Sequence, residues 1–332
     1  MKIKRLTGVA VSLGLTLANC ATQKKIFYQK SELIQPYSNR LENEELYRAP
    51  YVSKFNNDQK SLWFAAVQHT DKIDSPSFKT ILKAFDQLQP QVVIIEGVED
   101  TGVFSPKSHS EYVKKMADRK FEGSSETTYA AWLALEKGIP YAPAEPSALS
   151  IALAFEGRGH KREDFAYFDI LRMIPHWKRT EKTHNLDDYK SEAQILGKYN
   201  FHSMGINNQF SFDSFLVWYQ NKIGRAFQYE TLNMEYFSPQ LEGNPTALNR
   251  LSSEVDEFRE KHLHEITVRM LNQFNRVLIV FGSGHLVKHR AALTALLGKS
   301  SDEKWFTANP ETTENHFTLP PPLNQKKDGD CH

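Results

Sequence analysis

Residues 277–285 read VLIVFGSGH: an unbroken apolar run from Val277 to Phe281, then Gly282, Ser283, Gly284 and His285. A short continuous apolar run closed by glycines is how a strand buried on both faces of a parallel sheet reads. Two further runs are built the same way, LWFAAV at residues 62–67 and VVII at residues 92–95. A fourth, IPYAPA at residues 139–144, is weaker, because its two prolines confine it to a sheet edge. Helical patterns lie between these runs. Ser75-Pro76 supplies an N-cap followed by Pro at the first helical position, and Phe78, Ile81, Leu82, Phe85 and Leu88 then make one apolar stripe. A second helix is expected over residues 129–136. Val255, Phe258, Leu263, Ile266, Met270 and Phe274 mark a long helix that leads into the last strand. This alternation predicts an α/β fold with a central, mainly parallel sheet and crossover helices. Residues from about 157 to 250 are rich in aromatic and polar side chains and contain no clear buried strand. They read as a mostly helical middle insertion or cap.

The composition bounds the function. The chain has 332 residues, a formal charge of +1 and 40% hydrophobic residues, which excludes global disorder and leaves room for one large α/β domain or two smaller ones. A balance this close to neutral also excludes a general nucleic-acid binder. Two cysteines, Cys20 and Cys331, build neither a disulfide framework nor a cysteine zinc site.

The N-terminus carries Lys2, Lys4 and Arg5, then an uncharged run from Leu6 to Ala18. That run is shorter than the roughly 20 residues needed to cross a bilayer, so it reads as a secretory signal. It ends in Leu17-Ala18-Asn19-Cys20, which resembles a bacterial lipoprotein box with Asn19 in the place of the usual small residue. The expectation is a signal peptide over residues 1–19, lipidation at Cys20, and a lipid anchor in the bacterial cell envelope. Ala21 follows the cysteine, and with no aspartate to retain the protein at the inner membrane the periplasmic face of the outer membrane is expected. Residues 20–60 then read as a tether, residues 61–297 as the α/β domain with its insertion, and residues 298–332 as a polar, Pro-rich tail.

The ionisable residues fall at informative places. His69 lies just past the first apolar run, Glu96 ends the second, Glu145 follows the weak strand and His285 follows the last. Parallel strands would bring all four to one carboxyl edge, where open α/β sheets bind ligands. Two imidazoles and two carboxylates suit general acid–base work or one divalent metal. Singly, each reads as a loop, capping or turn residue. Arg259 shares the sheet-facing side of the long helix and either snorkels to the rim or points at the site. Gly282 and Gly284 are expected to allow positive φ and to turn backbone N–H groups toward an oxyanion. Other motifs fail. His264-Glu265 lacks the second zincin histidine, because Val268 stands there, and no nucleophile elbow, P-loop or dinucleotide fingerprint occurs. His262 and His264 read as surface or packing residues. Tyr112 and Tyr129 are candidate haem-ligating phenols with nothing to single either out.

These motifs together resemble the Tiki/TraB/erythromycin-esterase/ChaN superfamily, whose domains carry two G-x-x-H motifs, one at each end. The second is intact from Gly282 to His285, whereas Ala66 stands where the first would have its glycine before His69. VVIIEG resembles the family's second strand with its glutamate, Glu96. EKGIP at residues 136–140, followed by Glu145, is similar to the strand leading to a second acidic residue. Arg259-Glu260 resembles the Arg-Asp/Asn helix before the last strand, with Glu260 as a departure. The resemblance covers about residues 60–156 and 250–297.

The resemblance implies an envelope-anchored hydrolase of metal-dependent peptidase or esterase type, with His69, Glu96, Glu145, Arg259 and His285 as its catalytic set. In a metal version His69, Glu96 and His285 hold a divalent ion, Glu145 or Glu96 accepts a proton from its water, and Arg259 stabilises the oxyanion. The alternative implied by the same resemblance is a haem-binding lipoprotein of ChaN type without catalysis. Expected partners are the membrane, through the anchor, and a peptide, ester or haem ligand, with no nucleic acid.

Overall fold

A computed structural model describes residues 30–37, 49–121 and 123–306. The described residues form an α/β fold around a six-stranded mixed sheet ordered β4-β3-β5-β2-β1-β6. The strands are β1 (Tyr51–Asn56), β2 (Ser61–Val67), β3 (Val92–Glu99), β4 (Tyr141–Glu145), β5 (Arg276–Gly282) and β6 (Ser301–Glu303). β2, β5, β3 and β4 run parallel, whereas β1 pairs antiparallel with both β2 and β6.

The central strands are apolar throughout because both sheet faces are covered. Leu62, Phe64, Ala66, Val277, Ile279 and Phe281 pack on one face against helices α8 (Ala247–Gln273) and α9 (Ser283–Leu297). Ala65, Val67, Val93, Ile95, Leu278 and Val280 pack on the other, against α1 (Pro76–Leu88), α2 (Lys107–Asp118) and α3 (Glu126–Glu136). The period-2 alternation of the strand sorts neighbouring residues onto opposite cores. The weak strand is β4, and it holds the edge position expected from its prolines.

Between β4 and α8 lie α4 (Ala148–Gly157), α5 (Arg162–Arg179), α6 (Leu186–Ser203) and α7 (Phe212–Ile223), followed by 3-10 turns at Tyr229–Thr231 and Met234–Phe237. They share a separate aromatic core that includes Phe165, Phe168, Tyr189, Phe215 and Tyr219. At its edge Phe210 lies flat against Gly197: a Cβ there would fall 2.3 Å from the ring, so only glycine allows α6 and the following loop to approach so closely.

Two boundaries differ from expectation. Residues 49–60, assigned to the tether, contain β1, whose Tyr51, Val52 and Phe55 are buried. Lys54 and Asn56 interrupt the apolar pattern and disguise it. The tail likewise begins later than residue 298, because β6 is a wholly polar edge strand, Ser301-Asp302-Glu303, paired to β1. Trp305 then packs on Trp63 with ring centroids 6.3 Å apart. The signal segment, Cys20 and Cys331 lie outside the described residues. Among the described residues no helix is long and apolar enough to cross a membrane.

Candidate functional site

Register carries the site. Val67 pairs with Gly282 across β2 and β5, and Ile95 pairs with Val280 across β3 and β5. His69, Glu96 and His285 therefore leave three adjacent strands at one carboxyl edge. β4 adds Glu145 through a register shift in β3 between Ile95 and Glu99. α8, packed on the sheet, brings Arg259 to the same place. All five residues read from the sequence as a site converge.

Glu96 is the hub. It is buried, and its Oε2 accepts the Gly282 N–H at 2.7 Å. Its Oε1 has His285 Nε2 at 3.3 Å, Arg259 Nη2 at 3.5 Å and His69 Nε2 at 3.8 Å. Arg259 spends Nε and Nη2 on both oxygens of Glu145, at 2.8 and 2.6 Å. Two carboxylates absent from the expected set complete the arrangement. Glu126, at the start of α3, holds His69 Nδ1 at 2.5 Å and accepts the Thr70 N–H at 3.2 Å. Glu260, on α8, lies 2.8 Å from His285 Nδ1 and 2.8 Å from His289 Nε2, and it also contacts Lys288 Nζ. Lys288 in turn reaches Asp256 at 2.6 Å. Each imidazole thus has one nitrogen on its own buried carboxylate and the other directed at Glu96.

The charges follow from these contacts. Burial pushes the Glu96 carboxyl up, but His285, His69 and Arg259 outweigh it and hold it well below the usual carboxylate range. Burial likewise disfavours a charged His285, yet Glu260 and Glu96 together raise its pKa to about 9. The hydrogen bond to Glu126 raises His69, against the opposing effect of burial and with help from Glu96. Burial opposes the Glu260 anion too, and His285 and Lys288 drive it well below its ordinary value. At neutral pH His285 is therefore an imidazolium between two anions. His69 differs: its side chain is 64% exposed.

The glycines act by size and not by φ. Gly282 has φ −55°, an ordinary value, and is the residue just before α9. A Cβ on it would stand 3.3 Å from His69 Nε2, 3.5 Å from Glu96 Oε2 and 3.7 Å from His285 Cδ2. Its missing side chain is the space in which the three groups meet. The Gly282 N–H faces Glu96 and not a vacant oxyanion position. Of the other histidines, His264 is fully buried and accepts the Lys30 N–H at 3.1 Å, and His262 lies 3.4 Å from Asp100.

The expected metal ion does not fit these residues. Among the described residues no group of three or more His, Cys, Asp or Glu side chains is placed to hold a metal ion. In the trio His69, Glu96 and His285, Glu96 Oε2 is taken by a backbone N–H, and the Arg259 guanidinium borders Oε1. Neither candidate haem phenol lies at the site. Tyr129 is sealed in the core beneath α3, and Tyr112, on α2, does not line the groove above the site.

That groove has a volume of about 550 Å³ and is open to solvent. Its floor holds His69, Glu96, Glu126, Glu145 and Arg259, and its far wall is Phe165, Asp169 and Arg172 of α5 with Leu196, Tyr199 and Asn200 of α6.

Comparison with protein families, with characterised proteins and with solved structures finds no match for this chain.

Proposed function

We propose that the groove is the active site of a hydrolase that cleaves an ester or amide by metal-free acid–base chemistry. One observation supports this reading above the others: two imidazoles face a single ionised carboxylate, and each is braced from behind by a separate buried carboxylate. Glu126 accepts the Nδ1 proton of His69, which leaves Nε2, 3.8 Å from Glu96 Oε1 and beyond hydrogen-bond distance of it, able to take a proton at the groove floor. His69 takes a proton from water as that water attacks the carbonyl carbon. The oxyanion forms beside Arg259, which lines the groove. His69 then returns the proton to the leaving oxygen or nitrogen as the carbonyl bond to it breaks, giving an acid and an alcohol or amine. Glu96 stays ionised and keeps the two imidazoles and Arg259 in place.

In this reading the chain is a member of the Tiki/TraB/erythromycin-esterase/ChaN superfamily. The helices flanking β3 are its crossovers, and α4 to α7 are an insertion that caps the site. The N-terminal segment ends in a lipid at Cys20, which anchors the enzyme in the cell envelope. The motifs quoted above support that membership, and the far wall of the groove supports the cap.

The test uses the purified full chain, a panel of esters and short peptides, and His69→Gln and His285→Gln variants. Hydrolysis that falls by about a hundredfold or more in His69→Gln, and that resists chelators, is expected. Unchanged hydrolysis in both variants would falsify the reading. A stoichiometric transition metal lost in His69→Gln would replace it with the metal version.

A further inference from the structure

The groove wall opposite the catalytic floor carries a guanidinium that the mechanism does not use. Arg172, on α5, donates its Nε to Asp169 at 2.7 Å. Asp169 is itself fixed by the buried Asn200, whose Nδ2 donates to it at 3.0 Å. Among the described residues nothing else pairs with Arg172, so its two terminal nitrogens, the end-on fork of the guanidinium, keep their donors. The side chain is 39% exposed and lines the groove.

The rest of the groove accounts for its charges differently. Arg259 spends Nε and Nη2 on Glu145 and so has no end-on pair left. Glu126 is taken by His69, and Glu99 accepts the Ala148 N–H at 3.0 Å. A guanidinium held by one edge with its other edge open is built for bidentate recognition of a planar or tetrahedral oxyanion. Its anchor holds the fork in one orientation before a ligand arrives, which lowers the ordering cost of binding.

We propose that Arg172 is the specificity residue of the groove and pairs end-on with an anionic group, carboxylate or phosphate, on the substrate. The proposal rests on the hydrolytic reading for the word substrate and on the groove alone for the anion. It makes the preferred substrate an ester or amide with a negative charge set across the groove from the scissile bond.

The test is a titration of the full chain, labelled with 15N-arginine, with glutarate, with inorganic phosphate and with uncharged glutaramide. The Arg172 Nε–H signal is assigned by its loss in Arg172→Lys. A saturable shift with one of the two anions, and none with glutaramide, is expected, and the anion that acts identifies the group. No saturable shift with either anion, or an equal shift with glutaramide, overturns the proposal. A second arm compares mono-p-nitrophenyl glutarate with p-nitrophenyl butyrate. Arg172→Lys and Arg172→Gln raise KM for the anionic ester by about tenfold or more, with kcat and the neutral ester little changed. An anion shift without turnover of any ester leaves the anion site standing and removes only the hydrolytic reading.

Discussion

The backbone N–H of Gly282 donates to Glu96 Oε2 at 2.7 Å, which ties the end of β5 to the carboxylate around which both imidazoles gather. The same residue supplies the space for that gathering. One glycine therefore fixes the hub and leaves room for its neighbours.

Gly282→Ala separates those two roles. Its φ of −55° suits alanine, so the backbone bond to Glu96 survives. The new Cβ would stand 3.3 Å from His69 Nε2, and the exposed His69 ring yields by a few tenths of an ångström. The expected outcome is an unfolding free energy changed by less than about 1 kcal/mol. Hydrolysis should nevertheless fall by about tenfold or more, since small displacements of reacting groups cost rate. Wild-type turnover in a folded Gly282→Ala protein would mean that His69 does not act from this position.

His285 gives a pH signature in stability. It faces Glu96 from β3 and Glu260 from α8, shares Glu96 with Arg259 and with His69 from the loop after β2, and shares Glu260 with Lys288 of its own helix. Its folded pKa of about 9 lies above the unfolded value of 6.5, so the folded state binds the proton more tightly. The stabilisation is fully present below pH 6.5 and is lost as pH rises through about 9. Its size is of the order of 3 kcal/mol. Urea midpoints measured from pH 6 to pH 10 should decline across this window in the wild type and decline markedly less in His285→Gln, where His69, also raised, still titrates. An equal decline in both proteins would assign the effect to another group.

Glu260 is the buried counter-ion of three bases: His285, Lys288 and His289. Its removal leaves cations in a dry interior. Glu260→Gln is expected to cost about 3–5 kcal/mol, as breaking a buried pair does. The double variant Glu260→Gln with Lys288→Met removes anion and cation together and should recover part of that loss. A double-mutant cycle in urea checks it: additive losses would show that Glu260 and Lys288 do not interact.

How much of this was legible depends on what each residue's neighbours in sequence reveal. The strands containing Phe64, Ile94 and Ile279 announce themselves because both faces are covered and no polar position interrupts them. His69, Glu96, Glu145 and His285 follow from the same runs, since strand ends mark a sheet edge. Glu260 was legible and passed over. It lies three residues before Leu263 and seven before Thr267, on the buried stripe of α8, where a carboxylate needs a partner. Glu126 was hidden, because an acid in the first turn of a helix reads as a partner for the helix dipole. β1 and β6 were hidden by their lysine, serine and acidic residues, which suit edge strands and resemble a linker. The size role of Gly282 needs the positions of three distant side chains, which no local pattern contains.

Gly197 tests the wall that carries Asn200, the donor that fixes Asp169 beside Arg172. The ring of Phe210 rests on the Gly197 backbone so closely that a methyl group would meet Cγ at 2.3 Å, well inside any van der Waals contact. Phe210 is buried among Tyr167 and Phe201, with ring centroids 6.0 and 5.7 Å away, so it has little room to retreat. Gly197→Ala is therefore expected to destabilise the protein by about 1–3 kcal/mol, although alanine is the better helix former. Phe210→Leu alone costs a comparable amount through lost packing. Combined, the two changes fit together, because the smaller side chain vacates the space that the methyl enters. The double variant should thus be more stable than the sum of the single losses predicts, by about 1 kcal/mol. Thermal or urea unfolding of the four proteins measures this coupling. A Gly197→Ala protein as stable as the wild type would show that α6 and the loop at Phe210 do not approach as described.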